Sequence, residues 1–203
     1  MKTDFPNLNR YASENTKLLA LPNNGNRIVF FGDSITEFWT ARNSTLFQNP
    51  NHINRGISGQ TTSQMVVRFS HDVVELQPQR VVLLAGINDI AENNGPITIE
   101  EVAENIITMI EQALTNKIKV FLCAVLPCNT INWRNHIAPA DSIIQLNQML
   151  FLYAKKQAIP FVDYYTPMVN KSNGLDKIYS DDGLHPNAEG YKVMEAIISQ
   201  YLH

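Results

Sequence analysis

The chain has 203 residues, a formal net charge of −3 and 17% charged residues, which suits one globular domain with a full hydrophobic core. Its lysines and arginines are scattered, so the composition lacks the basic footprint of a nucleic-acid-binding protein. No apolar run reaches the roughly 18 residues that a membrane span needs, which excludes a predicted transmembrane helix.

Short β-type runs alternate with helical patterns along the chain. Residues 1–26 precede the first of these runs and are expected to form a helical extension packed on the domain. Three of the runs are continuously apolar, which is typical of parallel strands covered on both faces. The predicted strands are 27–32, 52–57, 80–86, 119–126 and 160–165.

Helical periodicity fills the segments between these strands. Thr98 and Glu101 have the spacing of a capping box at the start of one such segment. The predicted helices are 36–47, 61–76, 99–114, 143–153 and 194–202. Alternation of this kind predicts an α/β fold with helices on both faces of a parallel sheet. In such folds a site forms at the carboxyl ends of the strands, where the strand order reverses.

Three polar clusters occupy the positions that this rule singles out, and a fourth lies just before the last predicted helix. Residues 32–34, 56–59 and 86–89 each follow one of the first three strands, and residues 182–186 precede the last helix. Since the carboxyl ends of parallel strands meet at one edge of a sheet, we expect these clusters to form a single site.

Ser34 allows two interpretations. Its spacing from Glu37 fits a capping box, which would make it the N-cap of a helix. It can also be a nucleophile if a base lies nearby. His185 is the natural base, and Asp182, three residues before it, can orient the imidazole. Asp181 competes for that second role, but the three-residue spacing favours Asp182.

Acyl transfer also needs donors for a developing oxyanion. The backbone N–H of Ser34 lies at a predicted helix start, where such donors point outward. The N–H of Gly59 can approach a ligand closely because glycine has no Cβ. The side-chain amide of Asn88 is the third candidate.

The four clusters resemble the sequence blocks of the SGNH hydrolases, also called GDSL-type esterases and lipases. The matching stretches are GDSIT at 32–36, NRGISGQTT at 54–62, AGINDI at 85–90 and SDDGLHPNAEGY at 180–191. GDSITEFW and VLPCNTINWR are most similar to bacterial acylhydrolases that resemble platelet-activating-factor acetylhydrolase. The resemblance implies a flavodoxin-like three-layer α/β/α sandwich with a five-stranded parallel sheet, as a single domain over residues 1–203.

The resemblance also implies roles for the individual residues. Ser34 is the expected nucleophile, His185 its base and Asp182 the orienting acid. Gly59 and Asn88 join the Ser34 amide in the oxyanion hole. No metal and no organic cofactor are expected. The implied activity is hydrolysis of a carboxylic ester with a short acyl group, acetyl in particular, through an acyl-enzyme on Ser34.

The substrate and the biological setting stay open at this level. The ester is expected to be a small molecule, such as an acetylated carbohydrate or a short lipid ester. A lysophospholipase- or thioesterase-type acylhydrolase, an acyltransferase and a non-enzymatic carbohydrate-binding domain are alternatives. The sequence leaves the oligomeric state undetermined. The absence of a signal-peptide pattern favours the cytoplasm, with export as the alternative if the native chain carries a leader.

Three further residues are candidates for substrate contact: Trp133, Ile90 and Asp33. Trp133 lies in a polar segment after the fourth strand, and either stacks on the substrate or packs on the surface. Asp33 alternatively bonds the loop backbone. Trp39, on the helix after Ser34, is predicted to belong to the core.

Overall fold

The computed structural model describes residues 4–43 and 45–202. Within these ranges the strands are β1 Ile28–Gly32, β2 His52–Gly56, β3 Arg80–Leu84, β4 Lys119–Cys123 and β5 Phe161–Val162. They form one sheet in the order β2–β1–β3–β4–β5, and each neighbouring pair is parallel. The predicted α/β architecture with a five-stranded parallel sheet is therefore confirmed.

Helices cover both faces of this sheet. They are α1 Ala12–Leu19, α2 Ser34–Arg42, α3 Thr62–Asp72, α4 Ile87–Ile90, α5 Ile99–Thr115, α6 Ala140–Lys156, α7 Tyr165–Met168 and α8 Ala188–Ser199. The chain runs from β1 outward to β2 and then back across the sheet to β3. Right-handed crossovers in opposite directions place the connecting helices on opposite faces. Accordingly, α2 packs on α8, whereas α3 packs on α5 and α5 on α6.

The apolar run of β1 and the capping box of α5, both present in the sequence, explain why these two elements form. Every residue of β1 is buried, as expected for a strand between two helical layers. The capping box that begins α5 is present: the Thr98 hydroxyl accepts the N–H of Glu101 at 3.2 Å, and Glu101 Oε2 accepts the N–H of Thr98 at 2.9 Å. Satisfying these otherwise unpaired donors stabilises the helix start.

Several predicted boundaries are wrong because side chains end the elements early. β4 stops at Cys123, since the Asn147 side chain bonds both the N–H of Val125 (2.7 Å) and its carbonyl (2.9 Å). β5 stops at Val162, and Asp163 Oδ1 accepts the N–H of Thr166 at 2.9 Å inside α7. The helix predicted over 36–47 ends at Arg42, and residue 44 of that prediction lies outside the described residues.

The reversal of strand order falls between β1 and β3, and it brings the predicted clusters together. Gly56 ends β2 directly against the backbone of Glu37 in α2, so that a Cβ at this position would overlap it. The buried guanidinium of Arg68 donates to the carbonyl oxygens of Gly32 (2.8 Å) and Arg55 (3.0 Å). It therefore joins the ends of β1 and β2, the strands from which two site loops begin.

The N-terminal segment predicted as a helical extension forms its α-helix only over α1. Tyr11 lies just before α1, and its hydroxyl donates to the carbonyl of Gly56; Asn15 lies within α1, and its Oδ1 accepts from Arg55 Nε at 2.9 Å. These contacts bind the segment to the end of β2; residues 1–3 lie outside the described residues. None of the helices in the described ranges is both long enough and apolar enough to cross a membrane.

Candidate active site

Ser34 is the first residue of α2, but it does not cap the helix. Asp33 is the N-cap, and its Oδ1 accepts the N–H of Ile35 at 2.9 Å. The predicted capping box between Ser34 and Glu37 is wrong, because Glu37 Oε2 accepts the N–H of Ser58 at 2.7 Å instead. The helix start is satisfied by its neighbour, which leaves the Ser34 hydroxyl available for another partner.

That partner is His185. Ser34 Oγ lies 3.0 Å from His185 Nε2, and His185 Nδ1 lies 2.7 Å from Asp182 Oδ2. A carboxylate can only accept a hydrogen bond, so Nδ1 carries the proton and Nε2 is left as an acceptor for the Ser34 hydroxyl. Ser34 and His185 are 151 residues apart in the chain, and the structure brings the serine hydroxyl into line with the imidazole and the Asp182 carboxylate.

Asp182 is held in place by its own loop. Its Oδ1 accepts the N–H groups of Leu184 (2.9 Å) and His185 (2.7 Å) and lies 3.1 Å from Ser180 Oγ. Partial burial raises the pKa of Asp182, but hydrogen bonds from the His185 side chain and from these backbone groups outweigh it and lower the pKa to about 2. Asp182 is therefore ionised and oriented at any pH near neutrality.

The three predicted oxyanion donors follow the ends of three neighbouring strands: Ser34 follows β1, Gly59 follows β2 and Asn88 follows β3. Asn88 Nδ2 donates to Asp33 Oδ2 at 3.2 Å, which places the amide beside the residue preceding Ser34. Gly59 is exposed and has a φ of 76°, in the left-handed region that glycine adopts without strain. Within residues 4–43 and 45–202, no protein group accepts the N–H of either Ser34 or Gly59. Two backbone donors and one amide are thus available to a ligand here.

Comparison with known proteins identifies the family. A model of the GDSL-like lipase/acylhydrolase family matches residues 30–193, a span that contains the serine, the histidine and the carboxylate just described. The chain belongs to the GDSL-like lipase/acylhydrolase family. The family resemblance of the four sequence blocks is thereby confirmed, and it is a family of ester hydrolases.

Relatives of this GDSL-family chain include a solved structure of the same fold and two longer curated proteins. A solved GDSL-like lipase from Bacteroides thetaiotaomicron is 44% identical, with a TM-score of 0.94 and 98% of both chains covered. A lipoprotein of Bacillus subtilis, YqeF, is 28% identical over 66% of this chain and 57% of its own length. An acetylxylan esterase of Xylanibacter ruminicola is 34% identical over 40% of this chain. The match covers only 16% of that esterase. Together with the 57% of YqeF that is matched, this means that both curated relatives extend well beyond the aligned segments.

Two buried carboxyl groups lie beneath the GDSL-family site. Burial raises the pKa of Asp33 to about 7, against the lowering effect of the Ile35 N–H and with a further increase from the charge of Asp89. Burial also raises the pKa of Asp89 to about 6, although the N–H of Thr62 (2.9 Å) and its hydroxyl (2.7 Å) donate to the carboxylate. Asp33 supports Asn88 through its Oδ2, and Asp89 anchors the start of α3.

Two of the three further candidates for substrate contact, Ile90 and Asp33, are buried. Ile90 packs in the hydrophobic core, and Asp33 is buried with its oxygens bonded to Ile35 and Asn88, so both lie below the site surface. Trp39 is buried in the core, as predicted. We therefore propose no substrate contact for Ile90 or Asp33.

Trp133 remains a candidate because of where its segment runs. Its side chain is 53% exposed, in the connection between β4 and α6. On one side Asn132 Nδ2 lies 3.5 Å from the carbonyl of Asp182, and on the other Arg134 Nη2 lies 3.4 Å from the carbonyl of Glu92. The segment therefore passes between the loop of the catalytic candidates and the turn that follows α4.

Two residues that contact His185, Phe38 and Ser180, were not anticipated from the sequence. The ring of Phe38 lies 5.3 Å from the His185 ring, centroid to centroid, and Arg42 lies 5.3 Å above the same Phe38 ring. Residues four positions apart share a helix face, so the spacing of Phe38 from Ser34 was the available signal. The Ser180 hydroxyl donates to the carbonyl of His185 at 2.8 Å. Its position at the start of the fourth sequence block was the feature of the sequence that could have indicated this role.

Proposed function

We propose that this protein is a serine esterase that hydrolyses small carboxylic esters with a short acyl group, acetyl in particular. The observation that carries the proposal is the line from Ser34 Oγ through His185 to Asp182, with separations of 3.0 and 2.7 Å. A hydroxyl that donates to a correctly protonated imidazole is the arrangement that activates serine for attack on a carbonyl.

Each step uses a group already described. His185 Nε2 accepts the proton of Ser34 as Oγ attacks the ester carbonyl carbon. The N–H groups of Ser34 and Gly59 and the amide of Asn88 stabilise the oxyanion. Collapse breaks the bond to the alcohol, which leaves with the proton from His185. Water then attacks the acyl-enzyme with His185 as base, and the second collapse releases the acid and regenerates Ser34.

A polar cleft that Asp182 lines, but Ser34 and His185 do not, carries groups that suit a hydroxyl-rich alcohol such as a carbohydrate. The cleft has a volume of about 770 Å³, and its polar lining residues include Asn129, Thr130, Asn132, Asn170, Ser172, Lys177 and Asp181. Amide, hydroxyl and ammonium groups suit a sugar better than a fatty chain, because an apolar chain gains little from a hydrated polar wall. The similarity of part of the chain to an acetylxylan esterase also favours an acetylated carbohydrate.

The first test is hydrolysis of p-nitrophenyl acetate by the wild type, S34A and S58A. Ser58 is an exposed serine next to Gly59, so S58A controls for loss of a hydroxyl near the site. We expect S34A to lose turnover and S58A to keep it. Equal rates for wild type and S34A, both at the uncatalysed background, would contradict the proposal.

Substrate preference is tested with the same three proteins on esters of increasing acyl length. We expect kcat/KM to fall from acetate to octanoate, and acetate to be released from acetylated xylo-oligosaccharides. A rise with chain length would indicate a lipase or lysophospholipase instead. Adding an acceptor alcohol and measuring the ratio of transfer product to free acid distinguishes an acyltransferase from a hydrolase.

A further inference from the structure

Asn93, in the turn after α4, contacts two residues of the proposed oxyanion hole at once. Its Nδ2 donates to Asn88 Oδ1 at 2.8 Å and lies 3.3 Å from the carbonyl oxygen of Gly59. Its backbone N–H also donates to the carbonyl of Asn88 at 3.0 Å. One half-buried side chain thus links the loop after β2 to the helix after β3.

Asn88 needs such a partner because a primary amide has two ends of nearly equal shape. Only the NH2 end can stabilise an oxyanion, and the oxygen end would repel it. Asn93 supplies a donor to Oδ1, while the Asp33 carboxyl oxygen faces Nδ2 at 3.2 Å. Both neighbours favour the same orientation, in which one N–H of Asn88 bonds Asp33 and the other is free for substrate.

The contact with Asn93 matters to Gly59 for a different reason, which is the conformational freedom of its backbone. With no Cβ and a φ of 76°, it can rotate more freely than any other residue type. A hydrogen bond to its carbonyl restricts the peptide that follows Gly59. The N–H of Gly59 belongs to the preceding peptide, which this contact holds only through the Gly59 Cα. The Asn93 amide therefore contacts both of the residues that supply the donors other than the Ser34 N–H.

We propose that Asn93 is a positioning residue that holds Asn88 and Gly59 in the geometry required to stabilise the oxyanion. The inference rests on the proposed esterase function, and it assigns Asn93 no contact with substrate. Its neighbour Asn94 offers a matched control, because Asn94 Nδ2 donates to Thr61 Oγ1 (2.7 Å) and Gln64 Oε1 (3.0 Å) at the start of α3 instead.

The experiment compares N93A and N93D with N94A and N94D on p-nitrophenyl acetate. N93A removes one donor, and kcat should fall about tenfold, the scale of an unsatisfied hydrogen-bond acceptor. N93D faces Asn88 Oδ1 with a carboxylate, which favours a flipped amide, so kcat should fall by about 10²-fold, as when an oxyanion donor is lost. KM should change less than kcat. N94D adds the same charge one residue away and should keep wild-type kinetics.

A double-mutant cycle separates positioning from a general structural effect. In the N88A background, N93A should cause a smaller loss than it does in the wild type, because only its contact with Gly59 is left to remove. Full additivity of the two losses would overturn the inference, as would wild-type kcat in N93D. Thermal melting verifies that each variant is folded, and N93S replaces N93A if the latter does not fold. Wild-type protein that fails to hydrolyse the ester would refute the proposed function instead.

Discussion

Replacement of Asp182 by asparagine tests the proton arrangement of the triad. Oδ1 of Asp182 accepts two backbone N–H groups, from Leu184 and His185, at 2.9 and 2.7 Å. In D182N these donors keep the amide oxygen in that place, so the NH2 group must face His185 Nδ1. Nδ1 then has to accept, and the imidazole proton moves to Nε2. In that tautomer Nε2 cannot take the proton of Ser34.

The expected loss in kcat is about 10⁴-fold, the size seen when the same substitution forces the wrong tautomer in a serine protease, or about 5 kcal/mol of barrier. The assay is hydrolysis of p-nitrophenyl acetate, with D181N as the control, because Asp181 is exposed and carries the adjacent carboxylate. We expect D181N to stay close to wild type. A D182N rate within a few fold of wild type, or an equal loss in D181N, would refute the assigned role of Asp182.

Two predictions concern stability. R68A leaves Asp72, to which Arg68 donates at 3.0 Å, as an unpaired buried charge, so the free energy of unfolding in urea should fall by about 3–5 kcal/mol. Lys192, in an exposed ion pair, is the control, and K192A should cost less than about 1 kcal/mol; an equally small loss in R68A would contradict this reasoning. The second concerns Asp33 and Asp89, whose folded pKa values of about 7 and 6 exceed the unfolded value near 3.9. The folded state holds protons that the unfolded chain releases, so the free energy of unfolding should fall as pH rises from about 4 to 7, by up to about 1.4 kcal/mol per pH unit for each group. D33N should make that slope shallower, and an unchanged slope would count against the burial effect.

The strands and helices could be predicted wherever burial alone decides the structure. The apolar run of β1 and the helical stripe of α5 appear in the structure because each element must present apolar side chains to a neighbouring layer. Element ends were less predictable. The strand that continues in pattern beyond Cys123 stops because Asn147, from a helix far along the chain, takes over the hydrogen bonds of Val125.

In the candidate site, too, some features could be predicted from the sequence and others could not. Ser34, Asp182 and His185 could be selected as candidates from the sequence because their residue types and block spacing are tied to strand and helix ends. The capping interpretation of Ser34, one of two left open by the sequence, is wrong because Asp33, one residue earlier, already satisfies the helix start. Asn93 was not anticipated, since its contacts with Asn88 and Gly59 arise only when three loops meet.

The most direct test of the central claim is covalent labelling of Ser34. An alkyl fluorophosphonate reacts with a serine hydroxyl only where a base and an oxyanion hole activate it, and peptide mass spectrometry locates the adduct. We predict one phosphonyl group, on the peptide that contains Ser34, with none in S34A and much slower labelling in H185A. Labelling at another residue, or no labelling of a protein that still hydrolyses p-nitrophenyl acetate, would contradict the assignment of Ser34 as the nucleophile.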